Sequence, residues 1–181
     1  MKTIITVLVL IGDVNAASAQ LAERTNRFPV GTFHKKNLNI NGISAGLYSG
    51  YGDFGESFVN VHTNGIRLEA IGMGVIIPLL PSSPISESEE QFKATMSTSP
   101  SEKINGFNLS SAGTICDCTT NGVSAGAIGQ ISRQVNGVSV SFVMNMAEKH
   151  NGIQLAMVNE SFAMNGIQLG ISNQAHRARG L

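Results

Sequence analysis

The sequence predicts an all-β repeat protein: a parallel β-solenoid with 14–16-residue coils, the alternative being an antiparallel β-meander or barrel. Two observations carry this. Asn-Gly followed by Ile, Val or Phe recurs at Asn41-Gly42, Asn64-Gly65, Asn105-Gly106, Asn121-Gly122, Asn136-Gly137, Asn151-Gly152 and Asn165-Gly166, and Arg179-Gly180-Leu181 begins a further copy. From Asn105 onward the spacing is 16, 15, 15, 14 and 14 residues. Aligned on Asn, the positions then alternate. The second is apolar throughout (Ile43, Ile66, Phe107, Val123, Val138, Ile153, Ile167), and so is the fourth (Ala45, Leu68, Leu109, Ala125, Val140, Leu155, Leu169). The third is always polar (Ser44, Arg67, Asn108, Ser124, Ser139, Gln154, Gln168). Period two marks a half-buried strand, with the apolar columns expected in the core and the polar column in solvent.

Asn-Gly before each strand reads as a tight corner, because both residues tolerate a left-handed backbone. Stacked copies would bring the Asn amides into a ladder. A second corner is expected at the eighth position, marked by Gly72, Gly113, Gly129, Asn159 and Asn173. The rest of each unit varies, as in Glu148-Lys149-His150 and Ser161-Phe162-Ala163, and reads as a loop or weak-strand edge where exposed chemistry would sit. A unit this short cannot bury a core alone, so stacking must supply the stability. The solenoid is preferred over the meander because the two halves of a unit are so unlike; Gln174-Ala175-His176-Arg177 would make a poor return strand. A membrane barrel wants longer strands and aromatic girdles.

The N-terminus reads as an export signal over residues 1–19: Lys2, an apolar run from Ile4 to Ile11, and Ala17-Ser18-Ala19 as a small-x-small cleavage pattern. Residues 20–38 would then be a lead-in or cap, and 39–181 the repeat domain. No segment reads as a transmembrane helix. Two intervals break the rhythm. The 23 residues from Asn41 to Asn64 contain a Gly-aromatic stretch, Tyr48 to Phe54. The 41 residues from Asn64 to Asn105 contain a Pro/Ser/Glu-rich insertion at 78–103, read as a surface loop, disordered or weakly helical. Cys116 and Cys118, two apart on a strand, read as small buried side chains rather than a disulfide, since an i, i+2 bridge is strained.

Composition excludes some functions. Formal net charge is zero and charged residues are 13% of the chain, so nucleic acid is not an expected partner. His34, His62, His150 and His176 are dispersed and Cys116 has no nearby base, so no catalytic, cofactor or metal constellation is read. The Asn-Gly-Ile-Gln-Leu-(Gly/Ala)-Ile-x-Asn units, clearest from Asn151 to Asn173, follow the export signal. Together they resemble an uncharacterised family of bacterial surface-repeat proteins of spirochaetes and Bacteroidetes. That resemblance implies export to the periplasm, outer surface or medium, and transfers no catalytic residues.

The expected function is a non-enzymatic surface scaffold or binding and adhesion module, with a surface glycan or a protein as the candidate class of partner. A structural subunit of an envelope assembly and a carbohydrate-active solenoid enzyme are the alternatives. The enzyme would need Glu69, Asp117 and Glu148 together in one cleft. Members of such families continue through further units, so an open last coil at Gly180-Leu181 would favour end-to-end self-association.

Overall fold

A computed structural model describes residues 23–49 and 59–180. The expected export signal, the Gly-aromatic stretch beyond Ser49, and Leu181 lie outside the described residues. Ten strands make one all-parallel sheet: β1 (Thr25–Arg27), β2 (Val30–Gly31), β3 (Leu38–Gly46), β4 (Val61–Glu69), β5 (Glu102–Ser110), β6 (Ile115–Gly126), β7 (Gly129–Ser141), β8 (Met144–Leu155), β9 (Val158–Leu169) and β10 (Ser172–Arg179). Apart from β1 and β2, which share β3, each pairs with the next in sequence. Parallel pairing of successive strands through short turns requires a solenoid, and the meander and barrel alternatives fall.

Each long strand bends at its Asn-Gly, leaving arm one before the Asn and arm two after the Gly. The register stacks the seven pairs in line, Asn on Asn and Gly on Gly, from β3 to β9. The corner glycines have φ between 129° and 143°. A Cβ on Gly152 would lie 2.0 Å from the carbonyl oxygen of Gly137, so both the dihedral and the close stacking require glycine here. The Asn amides form a ladder: each donates to the Asn of the preceding coil, from Asn64→Asn41 at 2.8 Å to Asn151→Asn136 at 2.6 Å. In the first coil Phe28-Pro29 occupies the place of Asn-Gly, since Arg27 pairs with Ile40 and Val30 with Ile43. Pro29 has no N–H to offer, which removes one donor from the outer edge of that coil.

The faces are the reverse of the expectation. The third-position column points inward: Ser44, Arg67, Asn108, Ser124, Ser139 and Gln154 are all buried. The apolar columns point out, with Ile43, Ile66, Leu68, Phe107, Ile153, Leu155, Ile167 and Leu169 between 36% and 51% exposed. Period two runs unbroken through the corner, so the inward phase includes the residue before Asn: Ile40, Thr63, Ile104, Thr120, Val135, His150 and Met164, every one buried. These fill the narrow space between the arms, and arm two can add only small or mutually hydrogen-bonded side chains opposite them.

The interior is therefore partly a polar seam. Asn108 donates to Ser124 at 2.9 Å, Ser124 to Gln130, Gln130 to Ser141 at 3.2 Å, and Ser141 to Asn145. Gln154 donates to the Asn145 carbonyl at 2.9 Å, and Ser161 and Gln168 donate to Gln154. At the N-terminal end Arg67 lies wholly buried, 3.8 Å over the Phe33 ring, and donates to Glu102 at 2.9 Å and Asn108 at 3.0 Å. Burial pushes the Glu102 carboxyl up, and Arg67 opposes that rise. Glu69 is buried beside Arg67 and accepts from Ser49 and Thr114.

Two further expectations change. The variable half of each unit is arm one, a strand: Glu148, His150, Ser161 and Phe162 are buried in it, and the extra residue of the 16-residue interval is absorbed at a bulge. That bulge, between Cys116 and Thr119, brings the Cys116 and Cys118 Cα atoms to 5.2 Å, and the two side chains form a disulfide. A regular strand would hold such positions about 6.8 Å apart, which is why spacing alone argued against the bond.

Candidate functional site: the cleft under the insertion

The stretch between β4 and β5 covers residues 70–101 and is ordered, not a loose loop. A 3-10 segment (Gly74–Leu79) is followed by α1 (Glu89–Ser97). Local sequence explains α1. Ser88 is the N-cap and accepts from the Gln91 N–H at 3.2 Å, the Gln91 side-chain Oε1 accepts from the Glu87 N–H at 2.9 Å, and Glu89 and Glu90 sit in the first turn where the dipole favours them. Its apolar residues cover the outer face of arm one. Ile77, Ile85 and Phe92 pack on Ile115, Ile131, Met146 and Phe162. Phe92 stacks on Phe162 at 4.5 Å, and Phe162 on His176 at 5.1 Å.

Where this cover meets β6, β7 and β8 it leaves a cleft of about 480 Å³. Arm one supplies the floor with Cys116, Asp117, Ser132, Arg133 and Glu148, and the insertion supplies the roof with Ser83, Ser86, Gln91 and Thr95. Glu148 Oε1 accepts from the Ser86 N–H at 3.0 Å and the Ser86 hydroxyl at 2.9 Å. Its other oxygen, Oε2, is buried with no hydrogen-bond partner, although the side chain is more than nine-tenths buried. A buried carboxylate oxygen without a donor is costly unless something else supplies one. Arg133 pairs with Asp117 and donates to the Thr98 carbonyl and hydroxyl, tying the end of α1 to β7. Asp117 also accepts from the Ser101 N–H at 3.1 Å.

Of the three carboxylates an enzyme would need together, the fold brings Asp117 and Glu148 to this cleft and leaves Glu69 in the interior network with Arg67. Asp117 is already engaged by Arg133 and Ser101, which leaves Glu148 as the carboxylate with an oxygen that no protein donor satisfies. Among the described residues no group of three or more His, Cys, Asp or Glu is placed to hold a metal ion, and no helix is long and apolar enough to cross a membrane. His150 and His176 do not converge. His150 is enclosed between the arms, where burial pushes its pKa down to about 4, while His176 stacks on Phe162. The Asn-Gly residues named from the sequence line a corner edge of the solenoid and none of them lines the cleft. Sequence reasoning pointed to the insertion and missed Glu148 and Arg133 as its partners on the sheet. Their place in a supposed loop edge gave no sign that a strand would present them. No family model, curated protein or solved structure matches the chain.

Proposed function

We propose that the protein is an exported, non-enzymatic binding module of the cell surface or periplasm, in which the solenoid is the scaffold and the cleft under the insertion takes a ligand. The observation that carries this reading is Glu148, held in place by Ser86 and left with an acceptor oxygen that lacks a donor. The complementary ligand carries hydroxyl or amine donors on a small body, and a sugar unit of a surface glycan has that chemistry. The volume suits it, since small-molecule sites run from about 300 to 1,000 Å³. Gln91 and Thr95 offer further polar atoms, and Ile85 and Ile131 an apolar flank. The enzyme alternative is weaker, because acid–base hydrolysis wants two carboxylates free to act and one here is committed to an ion pair.

Glycan-array screening followed by calorimetry tests this. Glu148→Gln is expected to weaken the best glycan at least about tenfold, the equivalent of about 1.4 kcal/mol, with the circular dichroism spectrum unchanged. Saturable binding that Glu148→Gln and Thr95→Ala both leave intact would move the ligand elsewhere. A second reading, a structural subunit of an envelope assembly, is favoured by a separate surface on arm two.

A further inference from the structure

The outward columns of arm two do not end at the fourth position. The sixth continues them with Leu47, Ala70, Ser111, Ala127, Phe142, Met157 and Ile171, all exposed. Three columns across β3 to β9 make a grid of twenty-one positions (three times seven), with Ser111 the one polar member and no charged residue. The strand spacing of about 4.8 Å and rise of about 3.4 Å give it an extent of roughly 600 Å². The largest apolar patch on a typical monomer is about 300–600 Å² and is often functional, so this face lies at the upper end. A standard interface covers about 800 Å² of each partner, so this grid alone is close to what a stable dimer needs.

We propose that this face is the interface with a second copy of the chain, the two solenoids packed face to face about a two-fold axis that runs parallel to the strands. The relief of the face sets the register. Phe107 stands out from β5 at 49% exposure, whereas the next two coils carry small residues, Val123 with Ala125 and then Val138. Ala45, Leu68, Leu109, Ala125, Val140 and Phe142 line an open groove of about 1040 Å³ here. With the axis between β5 and β6, each Phe107 enters the shallow stretch between Val123 and Val138 of the other copy. Almost the whole length of both sheets then stays in contact, at the separation of about 10 Å usual for packed sheets. A lipid surface is the poorer occupant. Membrane-binding faces are rimmed by Trp, Lys or Arg, whereas this chain has no Trp and the only charged side chains on these arm-two strands, Arg67 and Glu69, are buried. An equally uncharged apolar face is the matching partner, and a second copy supplies it. This interface does not depend on the cleft or its ligand.

Sedimentation equilibrium of the protein between about 1 and 100 µM tests the interface, and a dimer is expected. Phe107→Asp should weaken it at least a hundredfold without altering the circular dichroism spectrum, since the residue is exposed in the single chain. Val123→Cys, near the axis, should cross-link to itself through a short bis-maleimide linker that spans the gap between the sheets, and Ile43→Cys, far from it, should not. A monomer at 100 µM, or a dimer indifferent to Phe107→Asp and cross-linked equally by both cysteines, overturns the proposal. A monomer that floats with phosphatidylcholine vesicles overturns it too, by assigning the face to lipid.

Discussion

The two outer faces of this solenoid are both apolar, and the described residues cover only one of them. On arm one, Ile115, Ile131 and Met146 lie under a 3-10 segment and a helix that the chain inserts between β4 and β5. On arm two, Ile66, Phe107, Ile153 and Leu169 stand in the same regular ladder with none of the described residues over them. The comparison shows that the repeat makes two sticky sheets and that the break in the repeat closes one. It also explains why the ligand cleft and the proposed interface lie on different arms: a cleft needs a cover with imperfect fit, and an interface needs a face left bare.

The largest expected effect falls on the covered face. Phe92→Ala removes a ring stacked on Phe162 and leaves a cavity under the helix, at a cost of about 3–5 kcal/mol in urea unfolding. Phe107→Ala, measured where the protein is monomeric, should cost less than about 1 kcal/mol; equal losses would erase the contrast between the faces. Next in size is acid sensitivity from the space between the arms. His150 is held neutral in the fold with a pKa of about 4, against 6.5 in the unfolded chain. The unfolded chain therefore takes the proton first, and stability present above pH 6.5 is lost as pH falls toward 4, by at most about 3 kcal/mol. Glu102, raised by burial, acts in the opposite sense, so the readout is the difference between the wild type and His150→Leu, whose unfolding should be the less acid-sensitive. Asn136→Ala, at the corner edge joining the faces, breaks two rungs of the amide ladder and should lower stability by about 1–2 kcal/mol. The smallest change is expected at Phe142→Ser on the bare face. At 73% exposure it should shift monomer stability by no more than about 0.5 kcal/mol while raising solubility.

Much of the scaffold was legible because its rules are local. Gly137 and Gly152 must turn with positive φ, and the spacing of Asn-Gly makes equivalent residues stack. The inside and outside were not legible. Alternation tells which residues share a face and leaves open which face is enclosed; Ile40, Ile104 and Val135, one residue before the corner, compete for the same interior as Ile43, Phe107 and Val138 after it. Arg67 shows the consequence: its charge pointed to solvent, and only the positions of Glu102, Glu69 and Phe33 make its burial tolerable. Glu148 was obscure for a related reason, since the donor and the cover that define its role come from Ser86, far away in sequence.

By itself the sequence determined the coil length and the corners and favoured parallel stacking over a meander, because these follow from backbone dihedrals and a short repeat. The tertiary structure alone decided which columns went inside, where the insertion lay and which apolar face stayed bare. Those choices depend on the space between two arms and on contacts between residues distant along the chain, and a periodic pattern carries neither.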